Sequence, residues 1–192
     1  MMRVGLIRHG MTDWNALGRI QGHSDIPLNE EGRRQAVKLA ERLAVEPIKW
    51  DHIVSSSLER AHETARIIAD RLHIPLLDPD ERLKERGFGQ IEGMTWEERE
   101  TKWGAEWETI ELGQEPLDVL QGRALDFLEA TWQQFPNHNI LVVSHGGLLS
   151  QLFKLLMQER HTERVGNLSL TVLERETDIW NTVLYNNSDH LK

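Results

Sequence analysis

The sequence predicts an α/β protein: a three-layer α/β/α sandwich in which a mostly parallel sheet is flanked by helices. Short apolar runs typical of buried strands alternate with longer segments whose apolar residues recur at helical spacing. Such alternation favours a parallel sheet, because each helix carries the chain back to the edge where the next strand begins. No repeat or linker divides the 192 residues, so a single domain over residues 1–192 is predicted.

The first strand and helix lie near the N-terminus. Val4–Ile7 is an apolar run that predicts a buried strand ending at Arg8. Residues 10–27 are loop-like, and Asn29 is a candidate N-cap for the helix that follows. The apolar face of that helix consists of Ala36, Leu39, Ala40 and Leu43.

A second strand and helix follow directly. Residues 51–56 predict a short strand, and the next helix ends before Pro75 because proline disfavours helical backbone in the residue ahead of it. A third strand is possible around Leu76–Leu77. The apolar face of this helix consists of Leu58, Ala61, Ala65, Ile68 and Leu72.

The second half of the chain begins with a segment rich in Trp, Glu and Gly, residues 94–115, which reads as a short, poorly packed, cap-like insertion. Trp14, Trp96, Trp103 and Trp107 lie in or near the loops expected over the binding site. These tryptophans either have a structural packing role or form an apolar wall for an organic substrate. Its charged helical stretches are most simply solvated faces. The remaining predicted elements are a helix over Pro116–Phe135, a strand over Asn139–Ser144, a helix over Gly147–Met157, and strands over Leu168–Leu173 and Ile179–Leu184.

Composition narrows the function. The formal charge of −9 argues against nucleic acid or an anionic membrane as the main partner, although local arginines can still bind a small anion. The absence of cysteine excludes disulfides, thiolate metal sites and cysteine nucleophiles. No segment resembles a signal peptide or a membrane span, so a cytoplasmic location is predicted.

Chemically useful residues follow three of the predicted strands. His9 and His145 each come directly after a strand and are each followed by glycine, and Arg60 lies near the start of the helix after the second strand. Ligands of open α/β sheets bind outside the carboxyl ends of the strands. A helix N-terminus also favours phosphate, because its N–H groups are unpaired. We therefore expect these three side chains, together with Arg8 directly before His9, to meet around one anion.

The order of the motifs resembles the histidine phosphatase superfamily, in its phosphoglycerate mutase-like branch. The similarity runs in order over roughly the first 155 residues, which makes it far more specific than Arg-His-Gly alone. The matching blocks are Leu6-Ile7-Arg8-His9-Gly10-Met11-Thr12-Asp13-Trp14-Asn15, Ile20-Gln21-Gly22, Pro27-Leu28, Glu31-Gly32-Arg33-Arg34-Gln35-Ala36, Ser55-Ser56-Ser57-Leu58-Glu59-Arg60-Ala61-His62-Glu63-Thr64-Ala65, Leu83-Lys84-Glu85-Arg86-Gly87-Phe88-Gly89-Gln90-Ile91-Glu92-Gly93 and Ser144-His145-Gly146-Gly147.

The resemblance implies a role for each matching residue. It implies that His9 is the nucleophile that forms a phosphohistidine and that Glu85 donates a proton to the leaving oxygen. It implies that Arg8, Arg60 and a charged His145 hold the phosphoryl oxygens. The other phosphate-binding positions that it implies are Asn15, Gln21, Gly22 and Gly146. The family chemistry requires no metal and no cofactor.

Physical chemistry supports these residue types independently of the family. A phosphate monoester carries nearly two negative charges, and guanidinium groups pair with its oxygens through planar, bidentate hydrogen bonds. A neutral imidazole is nucleophilic near neutral pH. An alkoxide is a poor leaving group, so a nearby acid must protonate it.

Two other functions stay open. One is a 2,3-bisphosphoglycerate-dependent phosphoglycerate mutase, although the short 94–115 segment favours hydrolysis over transfer. The other is a non-catalytic phospholigand-binding protein, which would not need a nucleophile. Pro116 stands where related phosphatases often have serine, so a contact or helix cap made by that hydroxyl is in doubt. The sequence names neither the small phosphorylated metabolite that would be the substrate nor the oligomeric state.

Overall fold

The computed structural model describes residues 1–157, 163–177 and 179–192. Within these residues one sheet contains β1 (Met2–Arg8), β2 (His52–Ser55), β3 (Asn139–Ser144), β4 (Leu170–Arg175) and β5 (Trp180–Asn187), in the order β2-β3-β1-β4-β5. Strands β2, β3 and β1 pair in parallel, whereas β4 is antiparallel to both of its neighbours. Only β4 opposes the common direction, which confirms the mostly parallel sheet.

Helices cover both faces of this sheet. The described α-helices are α1 (Asp13–Ala16), α2 (Glu30–Val45), α3 (Glu59–Leu72), α4 (Trp96–Trp103), α5 (Leu117–Gln134) and α6 (Gly146–Leu156). Of these, α2 and α3 pack against one face of the sheet, and α5 and α6 pack against the other. Asn29 caps α2 as predicted, because its side chain accepts a hydrogen bond from the Gly32 N–H at 2.9 Å. None of the described helices combines the length and the apolarity needed to cross a bilayer.

Two hydrophobic cores separate the layers. Val4 and Leu6 of β1 point into a core shared with α5 and α6, whereas Ile7 points into a core shared with α2 and α3. This alternation follows from the strand geometry, in which successive side chains emerge on opposite faces. The predicted three-layer α/β/α sandwich is therefore correct, and each face of the sheet is buried against a helix pair.

Two predictions of local secondary structure differ from the structure. The possible strand at Leu76–Leu77 is only an isolated parallel bridge between Leu76 and Ile53, because Pro75 cannot donate a backbone hydrogen bond to extend the pairing. The loop predicted over residues 10–27 contains α1, whose single turn is closed by a reciprocal cap between Thr12 and Asn15. A four-residue helix leaves no periodic pattern in the sequence.

The segment 94–115 is better packed than its sequence suggests. Trp107 and Leu112 are each 4% exposed and form a small core with Ile91. This third core stands apart from the two that line the sheet, so the segment has its own apolar anchor. Pro116 precedes α5 without any side-chain cap, as its lack of a hydroxyl dictates.

Candidate active site

The three strand ends meet at one edge of the sheet, as the sequence predicts. Strands β1 and β3 pair in register, so the His9 N–H donates to the Ser144 carbonyl at 2.9 Å and the rings of His9 and His145 lie 5.1 Å apart between centroids. Arg60 lies in the first turn of α3, directly after β2. The parallel register therefore turns residues that are far apart in sequence into neighbours.

A cavity of about 470 Å³ opens at this edge. The predicted site residues that line it are Arg8, His9, Asn15, Gln21, Glu85 and Gly146. Arg60 and His145 are fully buried and Gly22 is buried, so these three lie outside the lining. The structure thus brings the predicted site residues into one region. Six of them line the cavity, and the other three are buried outside its lining.

His9 is held in the tautomer that a nucleophile needs. Its Nδ1 lies 2.7 Å from the Gly10 carbonyl oxygen, which can only accept, so Nδ1 carries the proton and Nε2 keeps its lone pair. Burial lowers the pKa of His9 well below its ordinary value, and the positive charges of Arg8 and Arg60 lower it further. The imidazole is therefore neutral at pH 7 and available for attack.

His145 is neutral in this environment as well, which differs from the charged form that the resemblance implies. Burial lowers the pKa of His145 well below its ordinary value, and Arg60, His9 and Arg8 add to the effect. Neither ring nitrogen has a hydrogen-bond partner within the described residues. A neutral imidazole can still donate one hydrogen bond to a phosphoryl oxygen, and a bound dianion favours its protonation.

The lowered pKa of His145 predicts a loss of stability in acid. Below pH 6.5, the ordinary pKa of histidine, His145 is protonated in the unfolded chain but stays neutral in the folded chain. The free energy of unfolding therefore has its full value above that pH and falls as the pH decreases. We expect the wild type to lose up to about 2 kcal/mol more than a His145→Gln variant between pH 7 and about pH 5. Urea unfolding in phosphate-free buffers measures both slopes, and parallel slopes would contradict this.

Arg8 and Arg60 are desolvated cations whose polar groups are only partly satisfied. Burial lowers the pKa of Arg8 to about 10, which leaves it charged at neutral pH. Arg8 Nη1 donates to the Val165 carbonyl at 2.9 Å, while Arg60 Nη2 and Nη1 donate to the carbonyls of Gly22 and Ser24 at 2.8 and 2.9 Å. The Nε of each arginine is buried without a partner in the described part of the chain. Unpartnered buried donors are costly, and an anion would satisfy them.

Glu85 is placed by the N-terminus of α6. One carboxylate oxygen accepts from the Gly147 N–H at 2.9 Å, and the other accepts from the N–H groups of Leu148 at 3.0 Å and Arg86 at 2.8 Å. The side chain is 7% exposed and lines the cavity. A fixed carboxylate in the wall of the same cavity as His9 is suited to proton transfer.

A partly buried ion pair that was not predicted from the sequence fixes the loop that carries Glu85. Arg123 of α5 forms a bidentate pair with Glu115, at 2.8 and 2.9 Å, and its Nη2 also donates to the Glu85 carbonyl at 2.9 Å. His23 Nε2 donates to the same carbonyl at 2.9 Å. Glu115 directly precedes Pro116, the position at which related phosphatases often have serine, so this position is adjacent to the ion pair. His23 therefore positions Glu85 through its backbone.

Asn15 and Gln21 are fixed by Thr12. The Thr12 hydroxyl donates to Gln21 Oε1 at 2.9 Å, and Gln21 Nε2 is then buried without a partner within the described residues. Asn15 Oδ1 accepts from the Thr12 N–H at 3.3 Å and from Asn167 Nδ2 at 3.2 Å. Both amides thus use their oxygens internally, which leaves their N–H groups for an anion in the cavity.

The two predicted glycines lie where other side chains approach the backbone closely. A Cβ at Gly22 would collide with Glu92 Oε1, whose carboxylate accepts from the backbone of His23 and Ser24. A Cβ at Gly146 would lie 3.2 Å from Arg8 Nε. Gly22 therefore shapes the loop that receives Arg60, and Gly146 leaves room for the Arg8 guanidinium.

Three further arginines line the cavity and were not predicted: Arg19, Arg99 and Arg164. Arg19 precedes the Ile20-Gln21-Gly22 block, so its place in that motif could have revealed it. Arg99 stands in an acidic run that reads as a solvated face, yet it is only 6% exposed. The tryptophans of the 94–115 region do not line this cavity, and its apolar lining comes from Ile20, Phe88 and Val165.

Comparisons with known proteins agree with this geometry. The chain is 38% identical over 194 residues to the uncharacterized phosphatase PhoE of Bacillus subtilis, covering 100% of this chain and 97% of that protein. It is 36% identical over 193 residues to the probable phosphoglycerate mutase GpmB of Yersinia pestis, covering 94% and 88%.

Solved structures show the same architecture. The phosphoserine phosphatase of Entamoeba histolytica, solved as a mutant in complex with phosphoserine, superposes with a TM-score of 0.81 at 29% identity, and the match covers 100% of both chains. Residues 4–188 match the histidine phosphatase superfamily (branch 1). The chain therefore belongs to the histidine phosphatase superfamily.

Proposed function

We propose that the protein is a phosphomonoester hydrolase that acts through a phosphohistidine on small phosphorylated metabolites. The state of His9 carries the proposal: its Nδ1–H is bound to the Gly10 carbonyl, which leaves Nε2 as a neutral nucleophile within a cluster of cations. A protein that only binds phosphate has no need of such a nucleophile.

In the first step, the lone pair of His9 Nε2 attacks phosphorus and the bond between phosphorus and the ester oxygen breaks. The leaving oxygen takes a proton from Glu85. Arg8 and Arg60 offer their unpartnered Nε–H groups to the equatorial oxygens, with Gln21 Nε2 and one nitrogen of His145 as further donors. Charge that develops on the transferring group is thereby stabilised.

In the second step, water attacks the phosphohistidine while the Glu85 carboxylate accepts a proton from it. The N–P bond breaks, its electrons return to Nε2, and inorganic phosphate leaves. Glu85 acts as a general acid in the first step, which leaves it deprotonated, so it can act as a general base in the second step. This scheme draws on no cofactor, and we propose that residues 1–192 act as one catalytic domain in the cytoplasm.

A mutase is the second candidate, and the 36% identity to a probable phosphoglycerate mutase favours it. A mutase must keep water from its phosphohistidine. The segment that would have to exclude water, residues 94–115, contains only α4 and the short turn around Trp107. This short segment favours hydrolysis over transfer.

One assay separates the two functions. The protein is incubated with a panel of metabolite phosphates in the presence of a metal chelator, and the rate of phosphate release is measured. The rate of interconversion of 2- and 3-phosphoglycerate is measured under the same conditions. Our proposal expects phosphate release to be the faster process and the His9→Ala variant to release none. Faster interconversion would establish the mutase, and activity that disappears with chelator would rule out this mechanism.

A further inference from the structure

Arg123 of α5 binds the backbone of the segment that carries the acid. Its Nη1 donates to the carbonyls of Arg82 and Lys84 at 2.6 and 2.5 Å, and its Nη2 donates to the Glu85 carbonyl at 2.9 Å. Its Nε and Nη2 also donate to the two carboxylate oxygens of Glu115 at 2.8 and 2.9 Å. A guanidinium group has five N–H donors, so these five contacts use all of them.

The remaining carbonyl of this segment is bound from the end of β3. The Ser144 hydroxyl donates to the Leu83 carbonyl at 2.8 Å, and the Ser144 carbonyl accepts from the His9 N–H at 2.9 Å. All four consecutive carbonyls of residues 82–85 therefore accept hydrogen bonds from side chains. One of these side chains belongs to a residue that also holds the backbone of the nucleophile.

Glu115, the anionic partner of Arg123, is bound to the chain on the other side of Glu85. The Glu115 N–H donates to the Gly87 carbonyl at 2.8 Å, and its carboxylate accepts from the Gly87 N–H at 3.2 Å. Burial raises the pKa of Glu115, but the hydrogen bonds and the charge of Arg123 hold that pKa below its ordinary value. The pair is therefore ionised at neutral pH, and it fixes the backbone on both sides of the acid.

Arg123 does not line the cavity, whereas Glu85 does. Glu85 lies in a loop, outside the described helices and strands, so the place of its carboxylate depends on the contacts that hold this loop. An error of about 1 Å in the position of a reacting group can cost on the order of 10²-fold in rate. Proton transfer by Glu85 therefore needs a rigid support, and the contacts of Arg123 provide one.

We propose that Arg123 is a positioning residue for proton transfer by Glu85: it holds residues 82–85 where the carboxyl group reaches the leaving oxygen. A planar guanidinium is suited to this role because it donates to three carbonyls and a carboxylate at once, whereas lysine has only three donors. This inference deepens the proposed function and rests on it. It implies that Arg123 matters chiefly for substrates whose leaving oxygen needs a proton.

Two substrates with different leaving groups test the proposal. The leaving group of glycerol 3-phosphate is an alkoxide, whereas p-nitrophenyl phosphate releases a stable phenolate. For each substrate kcat/KM reports the steps up to formation of the phosphohistidine. We expect Arg123→Gln to lower kcat/KM for glycerol 3-phosphate ~10–100-fold, while kcat/KM for p-nitrophenyl phosphate changes less than about threefold.

A double-mutant cycle determines whether Arg123 acts through Glu85. In a Glu85→Gln background there is no acid to position, so adding Arg123→Gln should lower kcat/KM for glycerol 3-phosphate less than about twofold. A residue that only stabilises the fold would produce the same loss with and without Glu85. The cycle therefore separates positioning of the acid from general structural support.

Arg175→Gln is the matched control. Arg175 is an arginine of similar burial, 9% exposed against 17% for Arg123, and it also pairs with a glutamate of α5, Glu129, at 2.7 Å. It lies opposite Met2 at the start of β1, whereas His9 follows the end of that strand. The control should lower the melting temperature and keep the wild-type ratio of aryl to alkyl kcat/KM.

Equal losses of Arg123→Gln on the two substrates would overturn the proposal, as would losses that are fully additive in the double variant. If Arg123→Gln does not fold, Arg123→Lys replaces it; it should change the aryl-to-alkyl ratio several-fold, and an unchanged ratio would overturn the assignment. If Glu85→Gln changes this ratio and the Arg123 variants do not, only this inference fails. If the wild type hydrolyses neither substrate, the proposed function itself fails.

Discussion

A His9→Ala variant is expected to lose turnover of every phosphomonoester by ~10⁴-fold or more, the order of effect that follows removal of a nucleophile. The physical reason is that alanine offers no lone pair to phosphorus, while the surrounding cations are left in place. Substrate binding should therefore survive, because Arg8 and Arg60 are held by backbone carbonyls and not by His9. Steady-state phosphate release and substrate binding by calorimetry measure the two effects separately.

Labelling gives a direct readout of the same residue. We expect a rapidly quenched reaction to show an acid-labile phosphoryl group on His9 in the wild type and none in the variant. His73→Asn is the matched control, because His73 is exposed at the left-handed end of α3, where asparagine is tolerated. Retained hydrolysis in His9→Ala, or a label on another residue, would rule out the phosphohistidine.

A Glu85→Gln variant is expected to lose ~10²–10⁴ in kcat on alkyl phosphates, which is the usual contribution of a positioned acid. Aryl phosphates should lose much less, since a phenolate leaves without full protonation. The informative quantity is the ratio of aryl to alkyl rates, which should rise in the variant. An unchanged ratio of aryl to alkyl rates would contradict the assignment of Glu85 as the acid, however large the loss in kcat.

The ratio is needed because glutamine also disturbs the start of α6. Glu85 accepts hydrogen bonds from three backbone N–H groups through both of its oxygens, and in glutamine one of these oxygens is replaced by an NH₂ group, which cannot accept. Part of the activity loss will therefore reflect displacement of the Gly147 backbone. Thermal unfolding of Glu85→Gln and Glu85→Asp measures this structural part, and it should affect aryl and alkyl substrates alike.

Much of the fold could be predicted from local patterns. The apolar runs at Val4–Ile7 and Asn139–Ser144 identified β1 and β3 to within two residues at either end, since a strand buried on both faces has few polar positions. The antiparallel course of β4 could not be predicted, because the direction of a strand depends on which partner it finds and not on its own residues. The small core around Trp107 escaped prediction for a similar reason.

The sequence by itself determined the order of the motifs and the chemistry of each residue type: a histidine, arginines and a glutamate placed at the strand ends and their neighbouring turns. These are local properties, carried by the identity and spacing of adjacent residues. The tertiary structure alone decided that His9 keeps Nε2 free while Nδ1 is bound, that His145 is buried neutral, and that Arg99 lines the same cavity as Arg8. Protonation and pairing depend on burial and on charges from distant segments, and only the folded chain brings those together.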